Sequence, residues 1–383
     1  MKRQTRIVLA VLLMMFVVLV GQSRGQEMGR WIVTIQGPAE EAVIRAGGIV
    51  DHVFELIPAI AIRIPDAALP GLARNPLVVD IEEDFEMDAL DKPEGPPGQD
   101  KEKPPKDGEE PPPPPPQELP WGVDRIDAEW AWDTTTGYAV EVAVLDTGID
   151  YEHPDLDANC KGGINIINSR KSYKDDNGHG THCAGIIAAE DNEEGVVGVA
   201  PEASLYGVKV LDRRGSGWVS DIIAGLDWCD KNGMDIVNMS FGGGYSSSLH
   251  DACDAAKDAG LLLVAAAGND GGPVIYPAAY ESVIAVSATN SSDGLASFSN
   301  YGDEIAIAAP GVNILSTYKG GGYATGDGTS MAAPHVAGTL ALSANIFATA
   351  DDLGLSADEQ GAGLVDAGEA ATGTVDHGDD LLP

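Results

Sequence analysis

The stretch Val140-Glu141-Val142-Ala143-Val144-Leu145-Asp146-Thr147-Gly148 decides the fold. A short apolar run, rich in β-branched residues, stops at a carboxylate and a glycine. Such a run reads as a strand buried on both faces of a parallel sheet. Four more runs follow at residues 205–210, 236–239, 261–267 and 283–287, with helical patterns at 182–189, 220–231 and 246–259. Strands alternating with helices predict an α/β domain built on a doubly wound parallel sheet. Ligands of such sheets sit at the carboxyl ends of the strands. The chemistry is therefore expected in the turns that follow strands.

Those turns carry four reactive groups. Asp146 ends the first run. Asn177-Gly178-His179-Gly180-Thr181-His182 opens a helix. Ala265-Ala266-Ala267-Gly268 leads to Asn269. Gly328-Thr329-Ser330-Met331-Ala332-Ala333-Pro334-His335 opens a second helix, with Pro334 read as lying in its first turn, where proline is tolerated. A serine hydroxyl is a weak nucleophile and needs an adjacent base. Histidine accepts and returns a proton near neutral pH. A buried carboxylate fixes the tautomer and orientation of the imidazole. A side-chain amide can hold an oxyanion, with the N–H of a serine at a helix start as second donor.

These residues resemble the subtilisin-like serine proteases, the subtilases. Their three motifs appear as Asp146-Thr147-Gly148-Ile149, His179-Gly180-Thr181-His182-Cys183-Ala184-Gly185 and Gly328-Thr329-Ser330-Met331-Ala332-Ala333-Pro334-His335-Val336-Ala337-Gly338, in the family's order Asp, His, Ser. The resemblance covers residues 117–373 and the small unit before them. It implies Ser330 as nucleophile, His179 as general base and then acid, Asp146 as orienting acid and Asn269 as oxyanion donor. It also implies that Gly215-Ser216-Gly217 and Ser240-Phe241-Gly242 pair with an extended substrate, and that Gly268 lines the first specificity pocket. Small residues there allow close backbone approach. His153, His182 and His335 read as structural.

The resemblance implies structural calcium, with a site formed by Gln117, Asp155, the Asn192 side chain and the carbonyls of Glu190, Glu194 and Val196. These are the hard oxygen donors calcium prefers. A ligand bound only by the folded state stabilises it by mass action. Cys183 takes a position that marks the proteinase-K-like, thiol-sensitive members, beneath His179. The family's helix packing leaves a disulfide between Cys229 and Cys253 open, and Cys160 has no evident partner.

Outward from this domain the composition changes. Lys2, Arg3 and Arg6 precede an apolar run at 7–20, too short to span a bilayer, and small Ser23 and Gly25 precede Gln26. Residues 1–25 read as a secretory signal, so the protein is expected to be secreted, without stable membrane insertion once the signal is removed. Export also permits disulfides. Residues 26–90 show strands at 31–35, 53–56, 60–64 and 78–81 and helices at 39–46 and 66–74, a ferredoxin-like α+β pattern. This unit resembles the family's inhibitory propeptide, an intramolecular inhibitor whose tail lies in the active site as product. Comparison places the cut after Leu90 and implies a first pocket that accepts leucine.

Residues 91–119 hold eleven prolines, eight acids and four lysines, and 91–116 reads as a semi-rigid acidic linker. That insertion keeps a cut anywhere from Leu90 to Gln117 open. Gly363-Leu364-Val365-Asp366-Ala367 arrives early for the family, which predicts a looser C-terminal flank. Residues 374–383 read as an acidic tail.

Sixty Asp and Glu against 23 Lys and Arg leave a net charge of −37 over 383 residues. Phosphate backbones and anionic lipid heads repel such a chain, which argues against nucleic-acid and basic membrane-surface roles. The reading is a secreted, monomeric serine endopeptidase of broad specificity acting on polypeptides, made as a self-processed zymogen. A narrow processing protease and a catalytically silent peptide-binding module are the competing readings.

Overall fold

The computed structural model describes residues 28–90 and 115–373. The expected signal, nearly all of the expected linker and the acidic tail lie outside the described residues.

The first unit runs β1 (Met28–Ile35), α1 (Glu40–Arg45), β2 (Ile49–Val53), β3 (Ala59–Pro65), a 3-10 turn (Asp66–Ala68), α2 (Leu69–Leu72) and β4 (Val78–Glu83). Its strands form an antiparallel sheet in the order β2-β3-β1-β4. The alternation of β1 and β3 gives the sheet two apolar faces. Val33, Ile60, Ile62 and Ile64 bury under Val43 and Leu72 of the unit's own helices. Ile32, Ala59 and Ala61 pack instead into the core of the second unit. The strand expected at 53–56 comes earlier. Phe54 and Ile57 are apolar because they fill that interface, while Phe54 N–H closes a hairpin onto Ala59 O at 3.1 Å. β5 (Glu86–Ala89) leaves this sheet and crosses to the second unit.

The second unit begins with α3 (Trp121–Arg125), α4 (Ala128–Ala131), β6 (Glu141–Asp146), β7 (Cys160–Asn165), α5 (His179–Ala188), β8 (Ser204–Lys209) and β9 (Ser216–Trp218). It continues with α6 (Val219–Asn232), β10 (Ile236–Met239), β11 (Phe241–Gly242), α7 (Ser247–Ala259), β12 (Leu262–Ala266) and β13 (Ile284–Thr289). β14 (Ile305–Pro310), the hairpin β15 (Ile314–Tyr318) and β16 (Gly322–Gly326), α8 (Thr329–Leu342), α9 (Ala357–Gln360) and α10 (Ala367–Thr372) complete it. Seven parallel strands lie in the order β14-β13-β12-β10-β6-β8-β7. Helices α5 and α8 cover one face and α6 and α7 the other. From β6 the chain builds outward in both directions, and a crevice opens at the carboxyl ends of β6, β10 and β12.

A further expectation is corrected, and a pairing the sequence left open is decided. The C-terminal flank is closed: the chain after α9 pairs with β14, Val365 N–H donates to Ala308 O at 2.9 Å, and Ala367 N–H reaches Ile126 O at 2.7 Å. The open Cys229–Cys253 disulfide is absent, since all four cysteines are free thiols. Cys229 and Cys253 are small apolar residues of the α6–α7 core, and burial pushes both thiols up.

Candidate active site

Asp146 is the last residue of β6 and wholly buried. Both its carboxylate oxygens lie 2.9 Å from His179 Nδ1, and Thr147 N–H donates to Oδ1 at 2.6 Å. An imidazole that donates from Nδ1 presents Nε2 as its base.

His179 is the first residue of α5, and the start of this helix is capped by side chains. Asp175 accepts from the N–H groups of Gly178 and Thr181 at 2.9 and 3.0 Å. Asn177 Oδ1 accepts from His179 N–H at 3.2 Å, and Thr147 Oγ1 from Gly180 N–H at 3.0 Å. The donors that begin a helix normally lack partners. Here they fix His179 against the loop that carries Asp146. Buried Lys209 ties that loop down further, donating to Thr147 O at 2.5 Å and Asp176 Oδ1 at 2.7 Å.

Ser330 is the second residue of α8. Pro334 proves to be its sixth, beyond the first turn where it was expected, and the helix continues to Leu342. Proline has no N–H, so it removes the bond that would reach back four residues to Ser330 O. Ser240 Oγ supplies a donor to that carbonyl at 2.9 Å, and Cys183 Sγ lies 3.5 Å away. Cys183 is therefore a buried packing group whose thiol burial holds well above its ordinary range. The Ser330 hydroxyl donates to Ser240 O at 3.0 Å.

Asn269 follows β12. Thr329 N–H and Oγ1 donate to its Oδ1 at 2.9 and 2.8 Å, which turns its amide nitrogen into the cleft, where it donates to Leu90 O at 3.3 Å. Gly268 has φ +116°, and a Cβ there would stand 2.1 Å from Asn300 Nδ2, so only glycine fits beside the amide.

β5 fills the cleft as a strand, antiparallel to β9 on one side and β11 on the other. Asp88 faces Ser216, Met87 faces Gly217 and Glu86 faces Trp218; Phe241 faces Ala89 and Gly242 faces Asp88. Ala89 N–H donates to Gly215 O at 2.8 Å. The sequence-predicted binding residues thus grip the chain's own segment, and the carbonyl at its end meets Asn269. Gly217 is required by close approach, since a Cβ there would meet Val210 O at 2.2 Å.

The predicted metal residues also converge. Asp155 accepts from Asn192 Nδ2 at 2.9 Å and Val196 N–H at 2.8 Å, and Gln117 Oε1 accepts from Asn192 N–H at 2.7 Å. Glu190 N–H donates to Asp155 O at 3.0 Å. Among the described residues no donor reaches the carbonyls of Glu190, Glu194 or Val196. The three carbonyls are the hard oxygen donors a calcium ion prefers, whereas the Asp155, Gln117 and Asn192 side-chain oxygens already accept protein N–H groups. The three histidines read as structural are buried; burial lowers His335 to about 4 and His182 to about 3.

The subtilase-family peptidase profile matches residues 137–362. The chain is 48% identical over 272 residues to subtilisin Savinase of Lederbergia lenta, covering 67% of this chain and 99% of that protein. It is 40% identical over 374 residues to an alkaline protease of Shouchella clausii, covering 92% of this chain and 90% of that one. The chain belongs to the subtilase family. Against a longer subtilase, the minor extracellular protease Epr of Bacillus subtilis, it is 43% identical over 307 residues, 79% of this chain and 46% of Epr. The subtilases are serine-type endopeptidases, and the four groups quoted from the strand-end turns stand in that family's order. Asp175, Lys209 and the consequence of Pro334 escaped the sequence reading. For Asp175 a signal existed, an acid shortly before a helix start.

Proposed function

We propose that this subtilase is a secreted serine endopeptidase that hydrolyses polypeptides, made as a zymogen whose first unit inhibits the second and is cut off after Leu90. One observation carries the reading: the carbonyl of Leu90 accepts from Asn269 Nδ2 while residues 86–89 lie as a strand between β9 and β11. That is the placement of a newly cut product.

The steps follow from the groups present. Ser330 Oγ turns from Ser240 O, gives its proton to His179 Nε2 and attacks the Leu90 carbonyl. The oxyanion takes donors from Asn269 Nδ2 and Ser330 N–H, with the positive end of α8 behind them. Asp146 stabilises the imidazolium. His179 returns the proton to the leaving amine, an ester to Ser330 remains, and water activated by His179 hydrolyses it. Calcium held by Gln117, Asp155, Glu190, Asn192, Glu194 and Val196 would supply charge balance to an acidic loop and take no part in catalysis.

The test is self-processing. The full chain is expected to release a fragment ending at Leu90 and then to cut a denatured protein, with Ser330→Ala staying uncut and inactive. Unchanged cutting by Ser330→Ala would overturn the assignment; an intact wild-type chain with no activity would favour the silent binding module.

A further inference from the structure

The segment in the cleft is Glu86-Met87-Asp88-Ala89-Leu90, and its side chains alternate. Met87 is wholly buried, whereas Glu86 and Asp88 lie on the open side of the strand. Each acid meets a partner on the β9 edge. Ser216 Oγ donates to Asp88 Oδ1 at 2.5 Å, and Arg214 Nη2 stands 3.9 Å from Glu86 Oε1. The turn that presents those two groups is built for it. Asp212 Oδ1 accepts from the N–H groups of Arg214 and Ser216 at 2.8 and 3.2 Å, and its Oδ2 takes Arg214 Nε at 3.0 Å. Only eleven Lys and Arg occur in residues 117–373, and two of them, Arg213 and Arg214, are adjacent in this turn. On a surface this acidic, a local cationic edge runs against the overall field, which would otherwise repel acidic peptides.

We infer that the β9 edge forms a subsite pair selecting acidic side chains at the third and fifth positions before the scissile bond, so that the substrates are acidic peptides of alternating pattern. Ser216 serves the third position by a hydrogen bond to a carboxylate. Arg214 serves the fifth by charge. Both contacts are solvent-exposed, so their effect is modest and falls with salt. The inference rests on the reading of the chain as a protease with Leu90 at the cut.

The experiment uses the self-processed full chain and chromogenic peptides ending in Leu before the reporter. One peptide carries Glu-Met-Asp-Ala-Leu; the others carry Gln or Lys for the Glu, or Asn for the Asp. Acids at both positions are expected to raise kcat/KM roughly five-fold over the Gln/Asn peptide, and less in 1 M NaCl. Arg214→Glu should invert the Glu-to-Lys ratio at the fifth position, and Ser216→Ala should flatten the Asp-to-Asn ratio at the third alone. Equal cleavage of all peptides by the wild type would overturn the inference and leave the protease reading standing. A set in which no peptide is cut, neutral ones included, would overturn both.

Discussion

Asn269 shows how much of one residue's role is set by its neighbours. Two donors from Thr329 hold its oxygen, so the amide nitrogen has one direction left, toward the Leu90 carbonyl. Asn269→Ala is expected to lower kcat by about 10²–10³ with little change in KM, the loss measured in a subtilisin itself on removing this kind of donor. Steady-state kinetics on a peptide substrate check it. At this scale the sequence was most legible, because reactive groups sit in short motifs after strands. Ser240 was legible only as a substrate-pairing residue. Its second task, serving the carbonyl freed by Pro334, depends on a partner 90 positions away.

Helix starts are the recurring device among the elements. α5 is capped by Asp175, Asn177 and Thr147 from the loops around Asp146 and His179. α6 and α7 are capped from the first unit. Asp84 accepts from Ser220 N–H at 3.0 Å and Oγ at 2.8 Å, and Glu82 from the N–H groups of Ser247 and Ser248, each at 3.0 Å. A carboxylate at a helix start gains from both the donors and the dipole. Asp84 is almost wholly buried and also binds Arg30 at 2.9 Å. Asp84→Ala, added in trans as the separate first unit or measured as leak of activity after processing, should weaken inhibition by at least ten-fold. Unchanged inhibition would place the grip in β5 alone. Five strands of the large sheet, β6, β8, β10, β12 and β13, were legible from apolar runs, whereas β14 was not read although Ile305-Ala306-Ile307-Ala308-Ala309 is such a run. β7, with its two glycines, and β5, an acidic segment, gave no such signal, since their pairing partners supply what their composition lacks.

Two properties belong to the whole molecule. Gln117 is docked on the Asn192 loop while Leu90 lies in the cleft, so the proposed calcium ligands are gathered before any cut. EDTA should therefore lower the melting temperature of the uncut Ser330→Ala chain as much as that of the processed protein; no shift in either would remove the calcium proposal. The second property is acid lability. Burial lowers His335 to about 4 and His182 to about 3, and lowers His153, against an ordinary 6.5. Between pH 6.5 and 4 the unfolded chain binds protons that the folded chain refuses, so stability present above pH 6.5 is lost on acidification. His335 alone accounts for about 3 kcal/mol by pH 4. His335→Gln should flatten the slope of unfolding free energy against pH near 5 by about one proton; an unaltered slope contradicts it. The two-unit plan and the sheet were legible in the sequence. The closed C-terminal flank was not, because it forms by backbone pairing with β14, which side-chain patterns do not record. The proposed convergence of Ser330, His179, Asp146 and Asn269 is tested most directly by treating the processed protein with a serine-directed phosphonate and locating the adduct by mass spectrometry. One equivalent on Ser330, absent in Ser330→Ala and in denatured protein, is the predicted result. An active protein that takes no label on Ser330 would contradict it.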